Sequence, residues 1–322
     1  MLNQEYQKQN LLYVLFKNVF VCFFVLIFSA PALSSDNKNY SITIDNLEVN
    51  LDRFSSFVLP GDTILISINN SSDTFTGHYS AGNLINDDNI NWQFISPESP
   101  GYYKLEIFNT EKTYSFTLNV FVMIPASDQK GEYLNGYRIG NYPDKPYRGL
   151  TEYLKPNGFI VVTRNNQDVF VSPHFQIKQF ICKQQPDHWP KYILIRPKIL
   201  LKLELLLGKL HAAGIETNTL FLMSGYRTPY YNASIGNGKY SRHIYGDATD
   251  VFVDVNNDGV IDDLNGDKKA SMLDAEVIYK IVDAFDKDPK YKFMLGGLGK
   301  YKKTNSHTWN VHLDTRGYKA RW

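Results

Sequence analysis

Cysteine is nearly absent from this chain. Its 322 residues hold two, Cys22 and Cys182, and the first lies in an apolar amino-terminal segment, so the remainder carries one thiol and no internal disulfide. A small disulfide-stapled scaffold is thereby excluded. An excess of charge of either sign is missing too: 34 Lys and Arg stand against 33 Asp and Glu, a formal net charge of +1. With no one-signed field, nucleic acid and acidic polymers are not expected partners, and recognition has to be local. A long apolar run occurs in one place only. The remaining apolar residues, within an overall 43% hydrophobic and 14% aromatic composition, suffice for a sizeable core in two domains.

That one run, Val19 to Ala30, follows Lys8 and Lys17 and is followed by Ala30-Pro31-Ala32. Residues 1–35 therefore read as a secretory signal peptide, with an uncleaved membrane anchor as the alternative because the apolar character begins at Leu11. Either reading exports the rest of the chain, to the periplasm or cell envelope. Membrane contact is expected only through such an anchor.

Residues 36–126 show short alternating segments, "YSITIDNLEVNL", "DTILISINN", "NWQFIS", "YYKLEIFN" and "YSFTLNVFVMI", parted by turn signals such as Pro60-Gly61-Asp62. This spacing predicts an all-β, Ig-like sandwich serving as an accessory domain. Nothing in it carries chemistry, and its histidine, His78, reads as a solvated loop side chain. Residues 127–190, rich in Gly, Tyr and Pro, read as an ordered connector, since aromatic rings need something to pack on.

From 191 to 322 the period changes to that of an α+β domain, a small antiparallel sheet with flanking helices. Pro197 opens a helix with Ile199, Leu200, Leu203, Leu206, Leu207 and Leu210 on one stripe and Gly214 as its stop. "TLFLMS" reads as a buried strand ending at Ser224, and a second helix starts near Ser271, whose spacing to Asp274 matches a capping box. "MLGGLGKY" lacks the lysine and serine or threonine of a phosphate-binding loop, so its glycines read as turn formers.

The chemistry concentrates in residues 240–267, which hold one histidine, seven aspartates and three asparagines. His243 and Asp250 stand seven positions apart, and the tail adds His307 and His312. Two imidazoles and a carboxylate suit catalytic zinc with a position left open, whereas ordinary loop and strand histidines are the plain alternative. Further on, Asp254, Asn256, Asp258 and Gly259 fall at positions 1, 3, 5 and 6 of a calcium loop, with Asn265 at position 12 where a glutamate is expected. A second frame sets Asp263, Asn265, Asp267 and Asp274 at positions 1, 3, 5 and 12, with Lys268 replacing the glycine. Six carboxylates from Asp254 to Asp274 would repel one another, so a structural calcium ion is expected; the alternative is a solvated acidic turn.

Three motifs, "SGYRTPYYN" (224–232), "SRHIYGDATD" (241–250) and "VHLDTRGYKARW" (311–322), together resemble the zinc D-alanyl-D-alanine carboxypeptidase family of bacterial cell-wall peptidases. Its pattern is Ser-x-His-x6-Asp followed by a late His on a strand, and the likeness covers about the last 100 residues. The resemblance implies zinc held by His243, Asp250 and His312, with Ser241 in the first motif. It implies Arg227 gripping a substrate carboxylate, where a salt bridge holding a loop is the plain alternative, and His307 beside the reacting carbonyl. Many members carry Glu or Asp three residues before the last histidine, where this chain has Trp309; the ending "VHLD" offers Asp314 as a base or as an orienting partner, the plain alternative being a buried partner of Arg316 or a strand-end hydrogen bond. The implied function is zinc-dependent cleavage of peptidoglycan stem peptides next to a D-residue, by a D,D- or L,D-carboxypeptidase or endopeptidase. A non-catalytic cell-wall binding protein with a degenerate peptidase fold is the alternative.

Overall fold

Alternating residues do become strands between 41 and 122. One sheet has five strands, in the order Leu47–Val49, Ser41–Ile44, Thr63–Asn69, Asn91–Ile95 and Asn83–Asn86; another has four, Arg53–Val58, Ser115–Val122, Gly101–Asn109 and Phe75–Tyr79. Every second residue turns inward, as a pleated strand requires. Ile64, Ile66, Trp92 and Phe94 of the first sheet and Leu105, Ile107, Phe116 and Leu118 of the second are all buried in one apolar cluster. His78 is exposed as expected, but it sits within the strand Phe75–Tyr79 and not in a loop.

The computed structural model describes residues 41–86 and 88–322. The segment read as a signal peptide or anchor lies outside the described residues, among which no helix is long and apolar enough to cross a membrane. Lys38–Trp322 cluster as one compact unit. Its β layers are tied to the segment that follows by the Ser55 hydroxyl donating to the Val171 carbonyl (2.8 Å) and the Asn119 amide donating to the Phe170 carbonyl (2.7 Å). Aromatic residues between positions 127 and 190 pack inward. Tyr137, Tyr142 and Tyr153 are buried, and the Tyr142 hydroxyl donates to the Ile244 carbonyl at 2.9 Å.

The carboxy-terminal sheet runs Phe221–Ser224, Ala248–Phe252, Asn310–Asp314, Gly297–Tyr301 and Ala320–Arg321, antiparallel except for the last pair. The helix Pro197–Ala212 buries the predicted stripe, and Gly214 beyond it adopts φ +80, open to glycine without strain. Among its buried side chains is Lys202, whose ammonium donates to Asp286 (2.9 Å) and to the carbonyls of Met294 and Asp314 (3.2 Å each). This one cation ties the helix to the helix Met272–Phe285 and to the strand Asn310–Asp314; breaking such a buried pair costs about 3–5 kcal/mol. The Met272–Phe285 helix starts with the expected Ser271–Asp274 capping box.

The glycines of "MLGGLGKY" are not turn formers. Gly297 and Gly299 lie inside a strand, and what they contribute is empty space: a Cβ on Gly297 would meet the Asp314 carboxylate at 2.4 Å, and one on Gly299 would meet the Trp322 indole at 2.2 Å.

Candidate metal centre

Residues directly opposite one another in an antiparallel sheet point to the same face. Here Ser224 pairs with Asp250, Asp250 with His312, and His312 with Gly299. A single row across four strands thus carries a hydroxyl, a carboxylate, an imidazole and a gap. His243 arrives from outside the sheet, on the 3-10 turn Arg242–Tyr245. That turn is clamped by the buried Arg242 guanidinium, which donates to Asp247 at 3.0 and 2.5 Å. It closes on Gly246 at φ +73, where any Cβ would lie 2.6 Å from the Leu194 backbone.

Two nitrogens converge on one carboxylate oxygen. His243 Nε2 lies 3.3 Å and His312 Nδ1 2.9 Å from Asp250 Oδ1. The far nitrogens face groups that only accept: His243 Nδ1 the Gly225 carbonyl at 2.8 Å, and His312 Nε2 the Asp314 carboxylate at 3.1 Å. Those far nitrogens therefore carry the hydrogens, and in neutral rings the near ones present lone pairs. With both rings neutral, two lone pairs and an anionic oxygen, all buried, repel one another, and a proton or a metal cation between them relieves this. Two imidazole nitrogens and a carboxylate, each imidazole anchored behind by an acceptor, are a donor set that fits catalytic zinc. Among the described residues these three form the group able to hold a metal ion, their ligand atoms within 4.8 Å of one another.

Proton affinities register the same convergence. Burial would lower His312, but the carboxylates of Asp250 and Asp314 on its two sides push it up to about 9. Burial does lower His243, against the pull of Asp250. Burial would raise Asp250, yet the two imidazoles hold its carboxyl well below the usual range.

Arg227, Ser241, His243, Asp250, His307 and His312 all line one open cavity of about 730 Å³. Asp314 does not. It is fully buried behind His312, accepting from the Gly297 amide (2.7 Å) and from Arg316 (2.5–3.1 Å). Of the two roles implied for Asp314, this position is that of a partner orienting His312. Arg227 is more engaged than a substrate clamp would be, because Nη2 donates to Asp250 at 2.6 Å and Nε to Ser224 at 2.7 Å. Both hydrogens of Nη1 and the second of Nη2 are left for a ligand. His307 Nδ1 lies 2.8 Å from the Thr308 carbonyl, which accepts, and 3.2 Å from the Asn310 side-chain nitrogen, which donates.

The acidic stretch after Asp250 is built differently. Asp254 accepts from the amides of Asp258 and Gly259, Asn256 from Asp258, and Asp258 from Val260. Asp263 accepts from Gly266, Asp267 and Lys268, Asn265 from Asp267, and Asp274 from Leu264, Asn265 and Ser271. The expected mutual repulsion is relieved by backbone N–H groups, and no three of these carboxylates meet as the zinc set does. The expectation of calcium gains no support here.

Sequence reading passed over Tyr301 and Trp322, which line the cavity beside the metal set. The one signal available was the Gly-x-Gly-x-Tyr alternation of residues 297–301, which sets both gaps and the phenol on one face.

The Peptidase M15 family model matches residues 152–271. That stretch contains Arg227, Ser241, His243 and Asp250 and ends before His312, which the sheet register sets opposite Asp250. No curated protein matches the chain. Among solved structures, the M1 domain of titin is 7% identical, with a TM-score of 0.19 over 26% of this chain and 95% of its own. The titin M3 domain is 14% identical, with a TM-score of 0.17 over 26% and 96%.

Proposed function

We propose, from the premise that residues 152–271 are a Peptidase M15 region, that this chain is an exported zinc metallopeptidase of the cell envelope. Its substrates are peptidoglycan stem peptides, cut at a bond next to a D-residue in carboxypeptidase or endopeptidase fashion, D,D or L,D. The observation that carries this reading is the convergence of His243 Nε2, Asp250 Oδ1 and His312 Nδ1 on the wall of one open cavity. When bound there, zinc acts as a Lewis acid toward the scissile carbonyl and makes water acidic enough to attack near neutral pH.

The protein's own groups do the rest. The Gly225 carbonyl and the Asp314 carboxylate hold the two imidazoles in the tautomers that face the metal. Arg227 fixes Asp250 and offers Nη1 to a carboxylate of the stem peptide. His307, on the wall of the same cavity, is placed to take the proton of the attacking water, a post that position 309 does not fill. The amino-terminal sheets we read as the accessory module, an Ig-like sandwich without chemistry of its own.

Trp309 is the observation that favours the other reading, a cell-wall binder that has lost turnover. Incubating the zinc-loaded protein with whole peptidoglycan and with soluble stem peptides, and weighing the released fragments, separates the two. Fragments that vanish with a chelator and return with zinc are expected. Stoichiometric zinc with no fragment from either substrate would leave the binder.

A further inference from the structure

Hydrolysis of an amide needs a donor for the carbonyl oxygen as it gains charge, and with His307 assigned to the attacking water that donor has to come from another group. The cavity wall supplies one. Tyr301 ends the strand Gly297–Tyr301, lines the same cavity as the metal set, and stands edge-on to His312 with 6.5 Å between ring centroids. Its hydroxyl oxygen accepts the Trp322 indole N–H at 3.0 Å. An indole nitrogen only donates, so the phenol's own hydrogen takes no part in that bond. Trp322 is itself held in place. Its indole fills the gap over Gly299, its ring meets His312 at 5.2 Å, and the Arg316 guanidinium lies 5.4 Å from the ring centre.

We propose that the Tyr301 hydroxyl, aimed by the Trp322 indole, is the catalytic hydrogen-bond donor to the scissile carbonyl oxygen. This rests on the peptidase reading. No atom changes hands: the hydrogen stays on Tyr301, and the bond strengthens as the carbonyl becomes tetrahedral.

Tyr301→Phe in the zinc-loaded full chain tests it. The expected result is a fall in kcat on the order of 10²-fold, the scale set by removing one such donor, with KM, zinc stoichiometry and melting temperature unchanged. Trp322→Phe keeps a ring over Gly299 but removes the N–H. It should lower kcat less, and add nothing in the Tyr301→Phe background. In metal-free protein, Tyr301→Phe should shift the Trp322 indole N–H resonance, a readout independent of turnover. If Tyr301→Phe cuts stem peptides at the wild-type kcat, or raises only KM, the donor role is overturned while the peptidase reading stands. Wild-type protein that cuts no stem peptide overturns both.

Discussion

The carboxylate of the transverse row and the acidic cluster that follows it lie within thirty residues of each other and end in opposite states. In the transverse row, Asp250 faces two imidazole nitrogens and a guanidinium, all from side chains. In the stretch from Asp254 to Asp274, carboxylates accept from amides of their own loop, mostly two to five residues along the chain. Local backbone can neutralise a carboxylate where the chain turns freely. Inside a sheet most amides already serve the ladder, and although the Gly297 amide reaches Asp314 at a strand end, Asp250 draws its opposing charge from side chains or from an ion. Acidity alone therefore says little about metal; what separates the two regions is whether backbone donors are free.

The comparison breaks most visibly at the row. His243→Ala, Asp250→Ala and His312→Ala should each abolish stoichiometric zinc and reduce hydrolysis to background, with the domain still folded, as read by metal analysis and circular dichroism. Full zinc occupancy in all three would remove the metal from this site. Next in size is Asp314→Asn, which leaves the three ligands untouched but weakens the hold on His312 Nε2. Zinc affinity should drop roughly 10–100-fold, the usual cost of removing an orienting partner, measured by competition with a chromophoric chelator. An affinity within a factor of about two of wild type would reduce Asp314 to a partner of Arg316 alone.

The contrast between the clusters was only half legible in the sequence. Ligand types and their spacing were readable, because His243 and Asp250 are bound to one turn-and-strand unit and chemistry limits what such residues do. The helices at Pro197 and Ser271 were readable from periodicity and caps. Sheet register was not, since it depends on partners far along the chain, and with it went the meaning of Gly297, Gly299, Tyr301 and Trp322. The strand Arg53–Val58 was missed for a related reason. Its "RFSSFV" does not alternate, because Ser55 and Ser56 are buried, Ser55 beneath the Val171 carbonyl. The acidic loop misled because carboxylate density shows in a sequence while the amides that neutralise it do not.

Removing one loop carboxylate sharpens the comparison from its other side. Asp258→Ala deletes the acceptor of the Val260 amide, an exposed bond, so stability should fall by about 1 kcal/mol in chemical melts, equally with and without millimolar calcium. A calcium-dependent rise in wild-type melting temperature that Asp258→Ala abolishes would put an ion back in the loop.

The smallest effect is expected at His174, a carboxylate–imidazole pair with no second imidazole. Its Nδ1 lies 2.7 Å from Glu204, on the helix Pro197–Ala212, and this hydrogen bond, outweighing partial burial, raises the imidazole above its ordinary value. A folded-state value above the unfolded one means the charged pair stabilises the native state fully below about pH 6.5, the unfolded value, and loses that contribution as pH climbs through the raised one. His174→Gln retains an amide donor for Glu204 without a titrating proton. The stability difference between wild type and variant should therefore be largest near pH 5–6 and shrink toward pH 9, in denaturant melts run across that range. Zinc should leave this profile unmoved, because His174 is not among the cavity's lining residues. A profile that shifts with zinc would mean that the metal set and this pair are coupled through the helix that carries Lys202, and that the row is less self-contained than its geometry implies.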